Sequence, residues 1–197
     1  RLVPARTREY YSASSVMRSI LLSMGQENKK LQEICDYTGL TPSAASSLLL
    51  SLSSHNLAER MVPVTEEQSS RRAVYFISDS VFRFWYTYVL PYQSEIEAGQ
   101  GETVFNTLVL PSLDGYTKST FETICKEFLL LTDEMNNAPF PMKNVGKWWG
   151  QHPTKKLTKF ISIAAYDNNK ILLGSCFWTD EWIDIDALYN LQKHASL

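Results

Sequence analysis

Residues that could do chemistry are few in this chain of 197 residues, and they lie far apart. Cys35, Cys125 and Cys176 include no C-x-x-C pair, and the three histidines are equally scattered. Because a metal site needs ligands that are close together, this pattern favours free thiols in an intracellular protein and predicts no metal centre. The sequence also contains no G-x-x-x-x-G-K-[ST] motif, so these residues predict no phosphate-binding loop and no cofactor of their own.

One acidic run offers a candidate cation site near the end of the chain. It comprises Asp180, Glu181, Asp184 and Asp186. These residues precede or begin a predicted helix at 183–194, and negative charge at a helix N-terminus stabilises by about 0.3–1 kcal/mol per residue. We therefore favour helix capping over metal binding for this run.

Composition bounds the class of protein. The chain is 44% hydrophobic and 20% charged, which is typical of a soluble globular protein. No apolar run approaches the ~18 residues of a membrane span, and no signal-peptide pattern opens the chain, so we expect a cytoplasmic location without membrane contact. Residues 1–77 hold nine Lys and Arg against seven Asp and Glu, whereas residues 78–197 hold ten against fourteen. Neither half is basic enough for charge alone to indicate nucleic-acid binding.

The elements of the first part predict a winged helix-turn-helix domain over residues 1–78. Helical spacing of apolar residues indicates helices at 12–24, 29–37 and 42–55, and strand-like segments follow at 57–64 and 73–78. Gly39 is expected to end the second helix, and Thr41 with Pro42 to begin the third. Residues 65–72 would form the wing between the strands. Three helices and a hairpin in this order are typical of the fold.

Residues 79–113 are predicted to be a helical connector. Asp79 is expected to cap an aromatic helix that ends at Pro91, and Phe82, Trp85, Tyr86 and Val89 recur at helical spacing. This periodicity favours packing over stacking on a nucleic-acid base. Residues 114–197 predict a helix at 116–131, strands at 145–149, 160–166 and 170–178, and the helix at 183–194. The fold class is therefore α+β.

Several sequence segments, together with the alternation of residues along two strands, resemble a known protein family. Alternation puts Ser162 on one face of its strand and places Ser175 with Phe177 on one face of the next. Segments YFISDSVFRFWYTYVLP at 75–91, FE at 121–122, VGKWWG at 145–150 and the strands of 160–178 resemble the C-terminal module of bacterial and archaeal AAA+/STAND-type ATPases. In that family a winged helix follows the ATPase and precedes a restriction-endonuclease-like domain of poorly defined function.

The resemblance implies a PD-(D/E)XK nuclease-like α/β domain at 114–197 whose catalytic set is lost. Its acid, acid and lysine positions correspond to Ser162, Ser175 and Phe177, and among its acidic positions only Glu122 is retained. Phe177 is expected to fill the pocket that a lysine would reach, and Lys159 and Lys170 are the lysines near the strand ends. We also expect the nuclease-like core to be incomplete at its C-terminus.

The resemblance further implies that ATP and Mg²⁺ belong to an ATPase domain outside these residues, which would be an N-terminal partner in cis. The absence of an initial methionine adds to the expectation of a fragment. The main interpretation is thus a non-catalytic interaction or regulatory module of a larger ATPase.

Nucleic-acid binding stays open as an alternative. The third helix presents Ser43, Ser46 and Ser47, and serine discriminates bases poorly. Lys29, Lys30, Arg71 and Arg72 could contact phosphates of duplex DNA, so a DNA-binding regulator acting through the winged helix is one alternative. A module that binds only protein is another, and it predicts an exposed apolar or aromatic patch.

Overall fold

A computed structural model describes residues 15–151, 158–167 and 169–195, with side chains as far as Lys193. The chain is an α+β protein with two compact units. The first unit comprises residues 1–61 and 71–111, and the second comprises residues 62–70 and 112–197. In the described part of the chain, no helix is both long and apolar enough to cross a membrane.

The first unit begins with a helix-turn-helix and a two-stranded hairpin. Its elements are α1 (Ser15–Ser23), α2 (Leu31–Thr38), α3 (Pro42–Ser54), β1 (Ala58–Met61) and β2 (Val74–Ile77). The strands pair antiparallel, and Lys29 adds a bridge to Tyr75 through two backbone hydrogen bonds. This order matches the sequence-based prediction, with shorter strands; residues 12–14 of the first predicted helix lie outside the described residues.

Local signals set the turn between α2 and α3. Gly39 has a left-handed φ of 71°, and its N–H donates to the carbonyl of Cys35 over 2.8 Å. The Thr41 side chain accepts a hydrogen bond from the Ala44 N–H, with Pro42 in the first helical position. The end of α2 and the start of α3 were both predicted correctly, because each depends on residues within one helical turn.

The aromatic helix belongs to the core of the first unit. It is α4 (Ser80–Phe84), which continues as a π-helical segment, Trp85–Val89. The Asp79 carboxylate accepts hydrogen bonds from the N–H groups of Val81 and Phe82, at 2.8 and 3.0 Å. Phe82 and Tyr86 are buried with residues of α1, α2 and α3, so the predicted packing role is confirmed.

The aromatic helix approaches the end of α1 closely because residue 25 is glycine. A Cβ atom at Gly25 would lie 2.8 Å from the carbonyl oxygen of Tyr86, and the Thr87 hydroxyl donates to the carbonyl of Gly25. The segment predicted as a connector is therefore part of the first unit. Short helices α5 (Gln93–Glu95) and α6 (Gly101–Val104) follow, each continued by a π-helical segment, at Ile96–Gln100 and Phe105–Val109.

The second unit contains a long helix, a three-stranded antiparallel sheet and a final helix. These are α7 (Leu110–Glu134, whose first two residues count with the first unit), β3 (Asn144–Gln151), β4 (Thr158–Tyr166), β5 (Ile171–Gly174) and α8 (Ile185–Ala195). The sheet order is β3-β4-β5, and α8 packs against β4 and β5. A second apolar core joins Phe140, Met142 and Ala165 to Leu129 of α7.

The link between β1 and β2 is part of the second unit. The Val64 N–H donates to the carbonyl of Lys147 over 2.8 Å, which adds a backbone bond at the free edge of β3. Val62 and Pro63 are buried, and the missing side chain of Gly146 leaves room for Val64. The two units therefore differ from the predicted division at 1–78, 79–113 and 114–197. Backbone pairing between residues far apart in sequence determines this difference.

Candidate functional site

A buried carboxylate lies at the centre of the second unit. Glu122 is 6% exposed, and it projects from α7 toward the sheet. Its Oε1 atom accepts a hydrogen bond from the Ser162 hydroxyl of β4 over 3.1 Å, and its Oε2 atom pairs with the Lys147 ammonium of β3. One helix and two strands thus bring three polar side chains together, and we call Glu122, Lys147 and Ser162 the carboxylate cluster.

Lys147 neutralises the carboxylate from a half-buried position. Its side chain is 19% exposed, and its Nζ atom lies 5.8 Å from the centroid of the Phe160 ring. The ring face is electron-rich, so it also favours the ammonium. A buried ion pair is retained only where the attraction offsets the loss of hydration of both charges, and the Ser162 hydrogen bond contributes to that balance.

Two thiols lie beside the carboxylate cluster. Cys125 is on α7, one turn after Glu122, and Cys176 follows β5; the two side chains share a hydrogen bond. Burial raises the pKa of the Cys176 thiol from 9.0 to about 12. The bond with Cys125 and the negative charge of Glu122 act in the same direction, whereas Lys147 lowers it. Cys176 is therefore a neutral thiol near pH 7 and a poor nucleophile.

The structure brings only part of the predicted nuclease-like set together. Ser162 and Glu122 are in contact, but Ser175 is exposed and Phe177 is 44% exposed. The expectation that Phe177 fills a pocket is therefore wrong. The alternation argument fails because β5 ends at Gly174, which pairs with Ile163, so residues 175–178 lie beyond the ladder. Cys176 takes the buried position instead.

The lysine of this cluster was missed by reasoning from the sequence. Lys159 and Lys170 are the lysines that the sequence places near the strand ends, but the Lys159 ammonium donates to the carbonyl of Lys193 over 2.6 Å. Lys147 carries a signal that could have identified it, since it is the one charged residue inside the strand segment VGKWWG. A charge within a half-buried strand requires a partner, and the retained Glu122 was available.

One member of the acidic run, Asp184, caps the last helix. Asp184 precedes α8, and its carboxylate accepts a hydrogen bond from the Asp186 N–H over 3.0 Å. Across the described ranges, the side chains of His, Cys, Asp and Glu form no group of three that could hold a metal ion. In the carboxylate cluster the available oxygen ligands are one carboxylate and one hydroxyl, which is a poor set for Mg²⁺.

The predicted nucleic-acid residues lie in the first unit. Ser43 and Ser47 are exposed on α3, Ser46 is half-buried, and Leu50 on the same helix is 72% exposed. The Lys29 ammonium pairs with Glu27, and its backbone bridge to Tyr75 brings Lys29 and Lys30 beside β2. Arg71 and Arg72 are exposed just before that strand.

The charge of the helix-turn-helix does not match a phosphate backbone. Residues 31–58 contain no Lys or Arg, whereas Glu33 and Asp36 are exposed on α2. Among the described residues of this unit, the exposed Lys and Arg side chains are those of Lys30, Arg71 and Arg72, which lie with Lys29 at one edge beside β2. An edge of this kind can contact phosphates but lacks side chains that read bases.

These features define an α+β protein in which a helix-turn-helix unit precedes a helix-and-sheet unit with a buried carboxylate cluster. The chain belongs to the DUF234 family of archaeal and bacterial proteins of unknown function, whose profile matches residues 85–192. A relative from Methanocaldococcus jannaschii, Uncharacterized protein MJECL04, is 30% identical over 176 residues. The match covers 89% of this chain and 37% of that relative, so the chain spans little more than a third of the relative's length.

Two solved structures of bacterial proteins show a distant likeness. A ZitR mutant from Lactococcus lactis is 20% identical, with 62% of this chain and 75% of that chain covered and a TM-score of 0.31. The second structure concerns regulation of DNA binding by BpsR from Bordetella bronchiseptica; it is 12% identical, with coverage of 68% and 81% and a TM-score of 0.28. TM-scores of this size carry no inference about the function of this chain.

The Glu122–Lys147 pair can be tested by removing the charges singly and together. We expect Lys147→Met to lower the free energy of unfolding by about 3 kcal/mol, because it leaves a buried carboxylate without a counter-charge. The double variant Glu122→Gln/Lys147→Met should recover more than ~1 kcal/mol of this loss, since neither charge remains. Urea unfolding followed by circular dichroism measures both.

Lys143→Met is the matched control for the ion-pair test. Lys143 lies 3.3 Å from Asp167, but its side chain is 57% exposed, so its removal should cost less than about 1 kcal/mol. A double variant at positions 122 and 147 that is as unstable as the sum of its single variants would contradict the role of the pair.

The raised pKa of Cys176 predicts a loss of stability at alkaline pH. Below pH 9 the folded and unfolded states both keep the thiol proton; as pH rises from 9.0 toward 12, the unfolded state releases it while the folded state retains it. Ionisation of Cys176 in the unfolded state therefore lowers the free energy of unfolding as the pH rises through this range. The urea midpoint of the native protein should fall more steeply with pH than that of Cys176→Ala, whereas Cys35→Ala should keep the steep slope. Equal slopes for the native protein and Cys176→Ala would refute the assignment of this loss of stability to Cys176.

Proposed function

We propose that the chain is a non-catalytic interaction module of a larger protein, in which a nuclease-like unit has lost its metal chemistry. The observation that carries the proposal is the carboxylate cluster. Catalysis by the nuclease class needs two carboxylates on a divalent cation and a lysine near the attacking water. Here the ammonium of Lys147 lies on the carboxylate itself, and Ser162 occupies a position where a second acid would be needed.

The arrangement of charge also supports a non-catalytic role. The Lys147 ammonium balances Glu122, so a divalent cation would have to displace it and would gain few oxygen ligands in return. Cys176 adds a neutral thiol on the same side of the sheet. Each polar group of the cluster is satisfied by another one, which is the pattern of a structural core.

The larger protein is proposed to be an ATPase. The length of the Methanocaldococcus jannaschii relative supports a longer polypeptide, because the matched residues account for only 37% of it. The assignment to an ATPase, located on the N-terminal side and in the cytoplasm, rests on the resemblance of residues 75–91, 121–122 and 145–178 to that family. In this proposal ATP and Mg²⁺ bind outside these residues.

Metal-dependent cleavage is the direct test of the proposed loss of catalysis. Purified protein incubated with DNA or RNA and Mg²⁺ or Mn²⁺ should leave the nucleic acid intact on a gel, because the described partners of the Glu122 carboxylate are a lysine and a serine and not a second carboxylate. Glu122→Gln should be equally inactive. The proposal would be overturned by cleavage that Glu122→Gln abolishes and that Glu127→Gln, an exposed change on the same helix, preserves.

A second candidate is weak, sequence-independent contact with duplex DNA by the first unit. It is favoured by the basic edge of Lys30, Arg71 and Arg72 beside β2 and opposed by the acidic residues of α2. Three phosphate contacts correspond to a salt slope of about −2.7, so affinity should fall roughly 20-fold between 50 and 150 mM salt.

Fluorescence anisotropy with a labelled duplex measures this DNA contact. We expect binding only at low salt, equal for unrelated sequences, and weakened by Arg71→Ala/Arg72→Ala, because the contacts reach phosphates and not base edges. Ser43→Ala/Ser47→Ala, on the exposed face of α3, should bind as the native chain does. No binding at 50 mM salt would eliminate the DNA alternative, whereas sequence preference lost in the serine variant would favour base recognition.

A further inference from the structure

The long helix of the second unit is apolar on a face that the unit itself does not cover. Within the second unit, four large side chains on this face are each more than half exposed: Ile124, Phe128 and Leu131 of α7, and Met135, which directly follows the helix. Phe128 is 66% exposed and Met135 is 61% exposed. We call these four residues the α7 stripe.

The stripe has the geometry of a helix–helix contact. Its residues are spaced four, three and four apart, which is the spacing of a coiled-coil seam, and on an ideal helix they fall within an arc of about 60°. Glu122 and Leu129 mark the buried face, about 140° around the helix from the centre of the stripe. Helix α7 therefore has one face packed on the sheet and a second, apolar face that the described residues of its unit leave exposed.

Aromatic side chains extend this surface at its N-terminal end. Phe121, one turn before Cys125, contacts Trp178 with ring centroids 5.6 Å apart, and Trp178 remains 49% exposed. Contiguous exposed apolar surface of this extent in a soluble protein marks an interaction site. Aromatic side chains that become buried on binding are also where binding energy concentrates at interfaces.

The charges beside the stripe indicate what it binds. Glu127 and Glu134 are exposed, and on an ideal helix they lie together just outside one edge of the stripe. They occupy the flanking positions that set partner choice in helix pairs. Lys126 projects to the opposite side of the helix, so it does not offset them.

We propose that the α7 stripe is the docking surface for an amphipathic helix of a protein partner whose apolar face is flanked by Lys or Arg. This inference deepens the proposed interaction function and rests on it. Basic flanks would meet Glu127 and Glu134, whereas nucleic acid would be repelled by them. A second copy of the chain in antiparallel pairing would place Glu127 close to Glu134 of the other copy, so like charges oppose that occupant.

The experiment uses the full chain and synthetic peptides of about three heptads with leucine at the seam positions. One peptide carries lysine at the flanking positions, the second carries glutamate there, and the third keeps lysine but has glutamine at the seam. Fluorescence anisotropy at 150 mM salt should show micromolar binding of the first peptide, at least about tenfold weaker binding of the second, and none of the third.

Protein variants connect the binding to the stripe. Phe128→Ser/Leu131→Ser should weaken binding of the lysine peptide more than about tenfold, and these exposed positions tolerate serine without loss of the core. Leu50→Ser, at a leucine of the first unit that is 72% exposed, should leave binding unchanged. Glu127→Lys/Glu134→Lys should reverse the preference, so that the glutamate peptide binds more tightly. A nonspecific hydrophobic surface would not give this result.

Three outcomes would overturn the inference. They are equal binding of the lysine and glutamate peptides, binding unaffected by Phe128→Ser/Leu131→Ser, and concentration-dependent dimers that this variant abolishes, which would identify a second copy as the occupant. None of these results bears on metal-dependent cleavage, so failure of the docking inference is distinguishable from failure of the proposed non-catalytic role.

Discussion

The buried carboxylate of Glu122 has to be neutralised by a neighbouring group, and the packing of the second unit meets this requirement. An unpaired charge there would cost several kcal/mol, so α7 can lie on the sheet only where Lys147 of β3 and Ser162 of β4 face it. The requirement fixes the rotation of α7 about its axis. It thereby also determines which face of α7 stays outside, and that face carries the α7 stripe.

The two units differ in the kind of surface they offer. The helix-turn-helix unit has a neutral outer helix with an exposed Leu50, acidic residues on α2 and, among its described residues, exposed Lys and Arg side chains at one edge only. The second unit has a satisfied polar core and a large apolar exterior. Among the described residues, neither surface concentrates the positive charge or the clustered carboxylates that nucleic-acid chemistry requires. The proposed role in protein interaction rests on both surfaces.

Features that depend on neighbouring residues were predictable from the sequence. The Gly39 stop, the Thr41–Pro42 start and the Asp79 cap each act within one turn, and the structure has all three. Features that depend on distant residues were not. The end of β5 at Gly174 depends on how far the ladder with β4 extends, and the place of residues 62–70 depends on the edge of β3. No local pattern encodes either.

The candidate site also combines features that were predictable from the sequence with features that depend on distant residues. By itself, the sequence determined the α+β class and the order of helices and strands, because composition, capping and periodicity are local properties. Glu122 and Ser162 were singled out only by the resemblance to a nuclease-like domain. Only the tertiary structure decided that Lys147 pairs with Glu122, that Cys176 and not Phe177 lies beside them, and that the α7 stripe remains exposed. These outcomes follow from the packing of α7 on the sheet, where the burial of one charge selects its partners across 25 and 40 residues of sequence.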